Sequence, residues 1–188
     1  MNPKPPKRRR NTAKQTQSPG PVRSGHSVAV INRCRGRKIA VRFVEALAGR
    51  LLDELKVGRA ELNIVFTGVR AMTRLNETFL GHRGPTDVIA FGDSPGPGKR
   101  RSPAHGRHGV RDIRGEIVVC PDEARRQAKQ FRTTWQAEMV RYIIHGLLHL
   151  IGHDDSRPGP RRRMKREEDR LLRRLSAAFS LAAIAGGS

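Results

Sequence analysis

The stretch HGLLHLIGHDD, residues 145–155, places three histidines and two aspartates in an otherwise apolar run. On a helix, His145 and His149 stand four residues apart and share one face, the spacing with which a helix presents two imidazoles to one metal ion. Gly152 can end that helix in a left-handed turn, after which Asp155 can return toward the histidines. The pattern H-x3-H-x2-G-x2-D has the frame of a metzincin site, with aspartate in place of the third histidine. We therefore predict a metal site at His145, His149 and Asp155.

The third ligand has two neighbouring alternatives, His153 and Asp154, and the metzincin offset favours Asp155. Zinc accepts a carboxylate oxygen beside two imidazoles, and three protein ligands leave a position open for water, as in catalytic sites. We predict one Zn²⁺ ion, although a carboxylate ligand also suits other divalent metals.

The residue after the first histidine limits the chemistry of this site. A zinc peptidase has a glutamate there as general base for the attacking water, whereas this chain has Gly146, which disfavours peptide hydrolysis. With 38 Lys+Arg against 17 Asp+Glu, the formal net charge is +21, and such a field attracts polyanions, nucleic acids above all. Phosphodiester hydrolysis, with the metal as Lewis acid and water activator, is the better prediction.

Helical and strand patterns alternate outward from the quoted stretch. The predicted strands are 27–31, 61–68, 86–93 and 114–121; the predicted helices are 39–57, 70–81 (closing at Gly81), 122–152 (interrupted near Thr133–Thr134) and 160–184. This alternation predicts an α+β fold, a small mixed four-stranded sheet covered by helices, with the metal ligands on a zincin-like helix.

The domain organisation follows from composition. Residues 1–26 are rich in Pro, Lys and Arg and are predicted to be a disordered basic tail; residues 27–184 form one domain, interrupted by a Gly/Pro-rich flexible loop at 94–109. No apolar segment approaches the roughly 20 residues of a membrane span, so we expect no membrane partner. We expect a cytoplasmic protein, and its two cysteines suit a reducing compartment.

Three blocks of the sequence resemble the YbeY family of bacterial endoribonucleases. They are LNETFLGHRGPTDVIAF (75–91), GEIVVC (115–120), and HGLLHLIGHDD followed by Met164 and Glu168. The blocks occur in the order of the family and together span residues 75–168, about half of the chain.

This resemblance implies an α+β fold and a zinc ion held by His145, His149 and Asp155. It also implies cleavage of single-stranded RNA in the 3′ end maturation of 16S ribosomal RNA and in ribosome quality control. The implied partners are ribosomal RNA and the 30S or 70S ribosome or its proteins.

Two positions depart from the family pattern. Asp155 stands where the third ligand is commonly histidine, which would leave the metal less positive. Leu80 stands where the family often has arginine; Arg83 is the candidate to replace that arginine, the alternative being a solvated loop charge. These departures keep open a different function, a non-catalytic ribosome-assembly or RNA-binding protein with a structural metal. A structural zinc would close its site with a fourth ligand, for which His153 is the nearby residue.

Other polar residues are predicted to have structural roles. Asn76 is interpreted as a cap or loop-bonding residue, and Thr86 and Asp87 are expected to shape the turn into the third strand. The basic run Arg161–Arg163 is typical of a solvated helix face, with an RNA groove as the alternative.

Overall fold

The computed structural model describes residues 25–92 and 111–186, whose strands form one mixed sheet. The strands are β1 (His26–Asn32), β2 (Val57–Phe66), β3 (Val88–Gly92) and β4 (Arg111–Val119). Their order across the sheet is β1-β2-β4-β3; β1, β2 and β4 are parallel, and β3 is antiparallel to β4. The predicted four-stranded mixed sheet in an α+β fold is confirmed.

Five helices of the described residues accompany this sheet. They are α1 (Val41–Glu54), α2 (Val69–Leu75), α3 (Pro121–Phe131), α4 (Trp135–Leu150) and α5 (Pro158–Ala178). A π-helical turn, Asn76–Leu80, follows α2, and a 3₁₀ turn, Leu181–Ala185, follows α5. None of the described helices is long and apolar enough to cross a membrane.

The main core lies between one face of the sheet and helices α1, α4 and α5. Strand β2 shows why: Leu62 and Ile64 are buried toward these helices, whereas the alternate residues Glu61 and Asn63 are exposed. A smaller cluster lies around Met72 of α2, which is fully buried against residues of the sheet: Val65, Ile89, Val118 and Cys120.

The first predicted helix is shorter at its C-terminus than expected. The prediction ran to residue 57, but α1 ends at Glu54, and Val57 and Gly58 already belong to β2. Lys56 turns the chain with a positive φ of 52°. The apolar pattern misleads here because Val57 is buried equally well by a strand, which pairs it with Arg111 of β4.

The last predicted helix, 160–184, is also wrong at both ends. It begins at Pro158, and it stops at Ala178, after which Phe179 is extended and packs edge-on against Phe43 at 5.6 Å. The chain then folds back onto the start of α1, where the Ile184 carbonyl accepts a hydrogen bond from the Ala40 N–H at 3.0 Å. The apolar residues near the C-terminus therefore cover the core instead of extending α5.

The remaining boundaries agree more closely with the prediction. The interruption near Thr133–Thr134 is confirmed, because Arg132 ends α3 in a left-handed conformation before α4 begins. Gly81 closes the turn after α2 with a φ of 69°. The predicted loop 94–109 and nearly all of the predicted tail 1–26 lie outside the described residues, although His26 already begins β1.

Three glycines allow α4 to approach the sheet closely. A Cβ atom on Gly146 would lie 2.7 Å from Ile117 Cγ2 in β4. At the end of the helix, Leu150 packs directly over Gly92 and Gly115, where an added Cβ would lie 2.6 and 2.8 Å from Leu150 Cδ2. These contacts fix the height and rotation of the helix that carries both histidines.

Candidate metal centre

Helix α4 begins at a clear cap and presents its histidines one turn apart. The Thr134 hydroxyl accepts a hydrogen bond from the Ala137 N–H at 3.2 Å, as an N-cap residue does. From this start, His145 and His149 lie on the same helix face, their ring centroids 4.5 Å apart. The side chains remain partly accessible, with 28% and 33% of their surface exposed.

The chain reverses after α4 through a left-handed glycine. Gly152 has a φ of 88°; its N–H donates to the His149 carbonyl at 2.8 Å, and the His153 N–H donates to the Leu148 carbonyl at 2.9 Å. This pair of hydrogen bonds is the Schellman motif, as the position of the glycine predicted. The reversal returns Asp155 to the histidines.

Asp155, and not its neighbours, completes the cluster. Its Oδ2 lies 3.8 Å from His145 Nε2, and its Oδ1 lies 3.8 Å from His149 Nε2. The Asp154 carboxylate instead accepts hydrogen bonds from the N–H and hydroxyl of Ser156, at 2.8 and 2.9 Å. Of the described His, Cys, Asp and Glu residues, only His145, His149 and Asp155 bring ligand atoms together, all within 4.8 Å of one another.

The second nitrogen of each imidazole is held by an acceptor. His145 Nδ1 lies 2.6 Å from Oε1 of Glu168, a buried residue of α5, and His149 Nδ1 lies 3.2 Å from the His153 carbonyl oxygen. A carbonyl only accepts, so Nδ1 of His149 carries the proton and Nε2 carries the lone pair; the Glu168 carboxylate imposes the same tautomer on His145. Such partners are typical of metal-binding histidines.

The distances of the cluster suit a metal ion. The two Nε2 atoms lie 2.9 Å apart, a separation at which they can share a proton or, with both lone pairs free, turn toward one metal ion. Ligand atoms of a tetrahedral zinc stand about 3.3 Å apart. The separations of 2.9 Å between the two Nε2 atoms and 3.8 Å from each to the Asp155 carboxylate differ from this value by only about half an ångström. The residues therefore can hold a metal ion.

The electrostatics of the cluster differ between its two histidines. Burial lowers the pKa of His145, but the hydrogen bond and charge of Glu168 outweigh this and hold it above its ordinary value. Burial, together with the charge of His145, lowers the pKa of His149. Burial raises the pKa of Glu168, but the hydrogen bond to His145 reverses this, so Glu168 stays ionised. The centre thus combines His145, whose imidazole is hydrogen-bonded to a carboxylate, with His149, whose imidazole favours the neutral form.

Two cavities adjoin the cluster. One, of about 460 Å³, is lined by both histidines, Leu80 and the loop 152–156. The other, of about 560 Å³, lies on the α5 side and shares His145 and Asp155 with the first; its lining includes three cationic side chains, Arg141, Arg161 and Lys165. The candidate metal centre therefore lies between two spaces that a substrate can enter.

The position at which the family often has arginine is occupied here by Leu80, which carries no charge. Leu80 lines the first cavity, half exposed, whereas Arg83 is exposed and lines neither cavity. The sequence did not single out Arg161, because the members of the run Arg161–Arg163 look alike until the helix phase and the cavity are known. Arg141 lies inside a predicted helix, and no sequence motif marks it as a residue of the cavity.

The residues predicted to shape turns do so. The Asn76 side-chain amide donates to the Gly84 carbonyl at 2.8 Å, and the Asp87 carboxylate accepts from the Thr86 hydroxyl and the Val88 N–H at 3.0 and 2.9 Å. Asp87 also lines the second cavity, so this turn forms part of its wall.

Comparison with known proteins shows the family of this chain. Residues 30–176 match the family model described as Endoribonuclease YbeY. A protein of that name from Myxococcus xanthus is 36% identical over 83% of this chain and 50% of its own length, so this chain spans about half of that relative. The Endoribonuclease YbeY of Salinibacter ruber is 37% identical over 65% of this chain and 74% of its own length.

A solved structure resembles the fold. The solution structure of TM1509 from Thermotoga maritima covers 86% of this chain and 97% of its own, with a TM-score of 0.55 and 22% sequence identity. The family match extends over most of the described domain, from β1 to α5, and includes the positions of His145, His149 and Asp155. This chain belongs to the YbeY endoribonuclease family.

Proposed function

We propose that the protein is a metal-dependent endoribonuclease that cleaves single-stranded RNA. The observation that supports this most directly is the convergence of two Nε2 lone pairs and one carboxylate at a site bordered by two open cavities. The names of the relatives, Endoribonuclease YbeY, point to the same activity, and the net charge of +21 suits a polyanionic substrate.

The proposed ligands are His145, His149 and Asp155, with one Zn²⁺ ion as the proposed metal. The ion, when bound, would supply Lewis-acid polarisation of a phosphate and activation of water. Glu168 holds the proton of His145 on Nδ1, and the His153 carbonyl does the same for His149, so both imidazoles offer Nε2. Gly146 offers no general base, and its place against Ile117 leaves no room for one.

We further propose that the substrate is ribosomal RNA, cleaved in the 3′ end maturation of 16S RNA and in ribosome quality control. Partners would then be the 30S or 70S ribosome or its proteins, and the place of action the cytoplasm. The implied substrate can be tested with 30S particles that carry 3′-extended 16S RNA, in which a shortened 3′ end is the expected product.

The test of the activity compares wild type with His149→Ala on end-labelled single-stranded RNA. Cleavage is expected in wild type, with loss in the variant and loss in wild type on addition of a chelator. His82→Ala is the matched control, because His82 is exposed and lines neither cavity. Equal cleavage by wild type and His149→Ala would assign the activity elsewhere.

The alternative function, a ribosome-assembly or RNA-binding protein with a structural metal, has a distinct outcome in the same test. A structural zinc is expected to have four protein ligands, and the cluster has three among the described residues. RNA that is bound but left intact by a metal-loaded wild type would favour this alternative over the nuclease.

A further inference from the structure

The cavity on the α5 side of the cluster contains three cations with different partners. Arg141 faces carboxylates: Asp169 at 2.6 Å and Glu138 and Glu168 at 3.8 Å. Lys165 also faces carboxylates, Glu168 at 3.4 Å and Asp169 at 3.8 Å. The charges of Arg141 and Lys165 are therefore largely balanced within the protein.

Arg161 differs from both. Its Nε donates a hydrogen bond to the backbone carbonyl of Asp155 at 2.8 Å, and a carbonyl carries no net charge. Among the described residues, no carboxylate oxygen lies within 4.0 Å of its guanidinium nitrogens to form an ion pair. An arginine has five N–H donors in a planar fork, so one donor is used and the four on the terminal nitrogens remain for a ligand.

The single hydrogen bond also holds the Arg161 guanidinium next to the loop of the cluster. The carbonyl that accepts from Arg161 belongs to the same residue whose carboxylate faces both histidines. The guanidinium is thereby tied to the loop of the cluster and lines the same cavity as His145 and Asp155. A group bound by its terminal nitrogens would lie in the cavity that borders the cluster.

We propose that Arg161 binds the nonbridging oxygens of the scissile phosphate of RNA. This inference rests on the proposed nuclease function and assigns to Arg161 the charge that Leu80 does not provide at the other cavity. Guanidinium groups bind phosphate oxygens in a bidentate manner, with geometric specificity as well as charge. Arg161 would hold the phosphate in place and stabilise the negative charge that grows on it as the phosphodiester bond is cut.

The test compares Arg161→Gln, Arg161→Lys and Arg162→Gln with wild type on the same RNA. Arg162 is the matched control, because it is the next residue of α5, is exposed, and lines neither cavity. Arg161→Gln should lower kcat by about 10²-fold, the usual effect of removing one donor to the charge of a transition state. Arg161→Lys should recover part of this loss, since a lysine supplies the charge but not the planar fork.

Further readouts separate phosphate binding from damage to the site. Arg161→Gln should still bind the metal, because the hydrogen bond it loses is to the Asp155 backbone and not to the Asp155 carboxylate. Arg162→Gln should keep kcat within about threefold of wild type. With a chelator present, the dependence of RNA affinity on salt should be less steep in Arg161→Gln by about 0.7 logarithmic units per decade, the contribution of one phosphate contact on a single strand.

Several outcomes would overturn the proposal. One is a kcat in Arg161→Gln equal to that of wild type; another is an equal loss in Arg162→Gln, which would indicate bulk charge alone. A loss confined to KM would move the contact to a flanking phosphate. If wild type leaves RNA intact, the nuclease function fails, and an unchanged salt dependence in Arg161→Gln would separately exclude the phosphate contact.

Discussion

Glu168 is the residue on which the orientation of the first histidine depends. Only 5% of it is exposed, and its carboxylate lies 2.6 Å from His145 Nδ1. The sequence placed Glu168 in a block shared with the family but assigned it no role, because its distance from His145 along the chain is 23 residues. Only the packing of α5 against α4 brings the two side chains together.

We expect Glu168→Gln to weaken metal binding by at least about tenfold, the lower end of what the loss of such a partner costs. The amide can still accept the Nδ1 proton, but it lacks the charge that makes the imidazole a better ligand. Metal affinity, measured by competition with a chromophoric chelator, tests this expectation. Glu167→Gln is the control, since Glu167 pairs with Arg170 at 2.6 Å instead, and an affinity equal to that of Glu168→Gln would disprove the role.

The identity of the third ligand can be tested in the same way. Sequence alone left His153 and Asp154 as alternatives, whereas the structure directs only Asp155 of these side chains into the cluster. Asp155→Ala should abolish the rise in Tm that added Zn²⁺ causes in wild type, because binding to the native state alone raises stability. Asp154→Ala should retain that rise; loss in Asp154→Ala and retention in Asp155→Ala would reverse the assignment.

Helix α4 is positioned partly by neighbouring residues and partly by residues that are distant in the chain. Its ligand spacing and its glycine terminator are properties of neighbouring residues, so the sequence predicted His145, His149 and the reversal at Gly152. The depth of the helix on the sheet depends on Ile117 and Gly115 of β4, which are remote in the chain. The sequence indicates only that Gly146 stands in place of a catalytic glutamate, whereas the structure shows that its small size also permits this close approach.

Gly146→Ala should therefore destabilise the fold by about 1–3 kcal/mol, the usual cost of overpacking a core. The added methyl group would lie 2.7 Å from Ile117 Cγ2 and would press α4 away from β4. Denaturant unfolding monitored by circular dichroism measures this cost. The double variant with Ile117→Ala should lose less stability than the sum of the single variants, and simple additivity would contradict the contact.

The boundaries that the sequence missed have the same physical origin. Val57 and Ile184 are apolar residues that a helix or another element can bury, and local periodicity does not distinguish the two. Val57 belongs to a strand because it pairs with β4. Ile184 leaves the helix because the 181–185 turn hydrogen-bonds to the start of α1. Element type was predictable from nearby residues, whereas these ends depended on contacts made across the fold.

Positive charge is the dominant property of the chain taken as a whole. The net charge of +21 includes residues 1–24, which contain seven Lys and Arg and no Asp or Glu. The candidate metal centre lies entirely within α4, the loop that follows it and α5. Seven of the positive charges therefore lie outside the candidate metal centre, and their contribution to RNA binding can be separated by experiment from the chemistry of that centre.

Replacing the seven basic residues before Gly25 with glutamine should weaken RNA binding without changing Tm or metal affinity. Each contact between a cationic side chain and a single-strand phosphate contributes about 0.7 to the slope of log affinity against log salt. The slope should consequently become less steep, by up to about 5 if all seven make contact. Anisotropy titrations of labelled RNA at several salt concentrations measure this slope. Substitution by glutamine, in place of truncation, keeps the chain length the same in the variant and in wild type. An unchanged slope would mean that the attraction of RNA comes from the folded domain, with Arg161 and its neighbours as the place to look next.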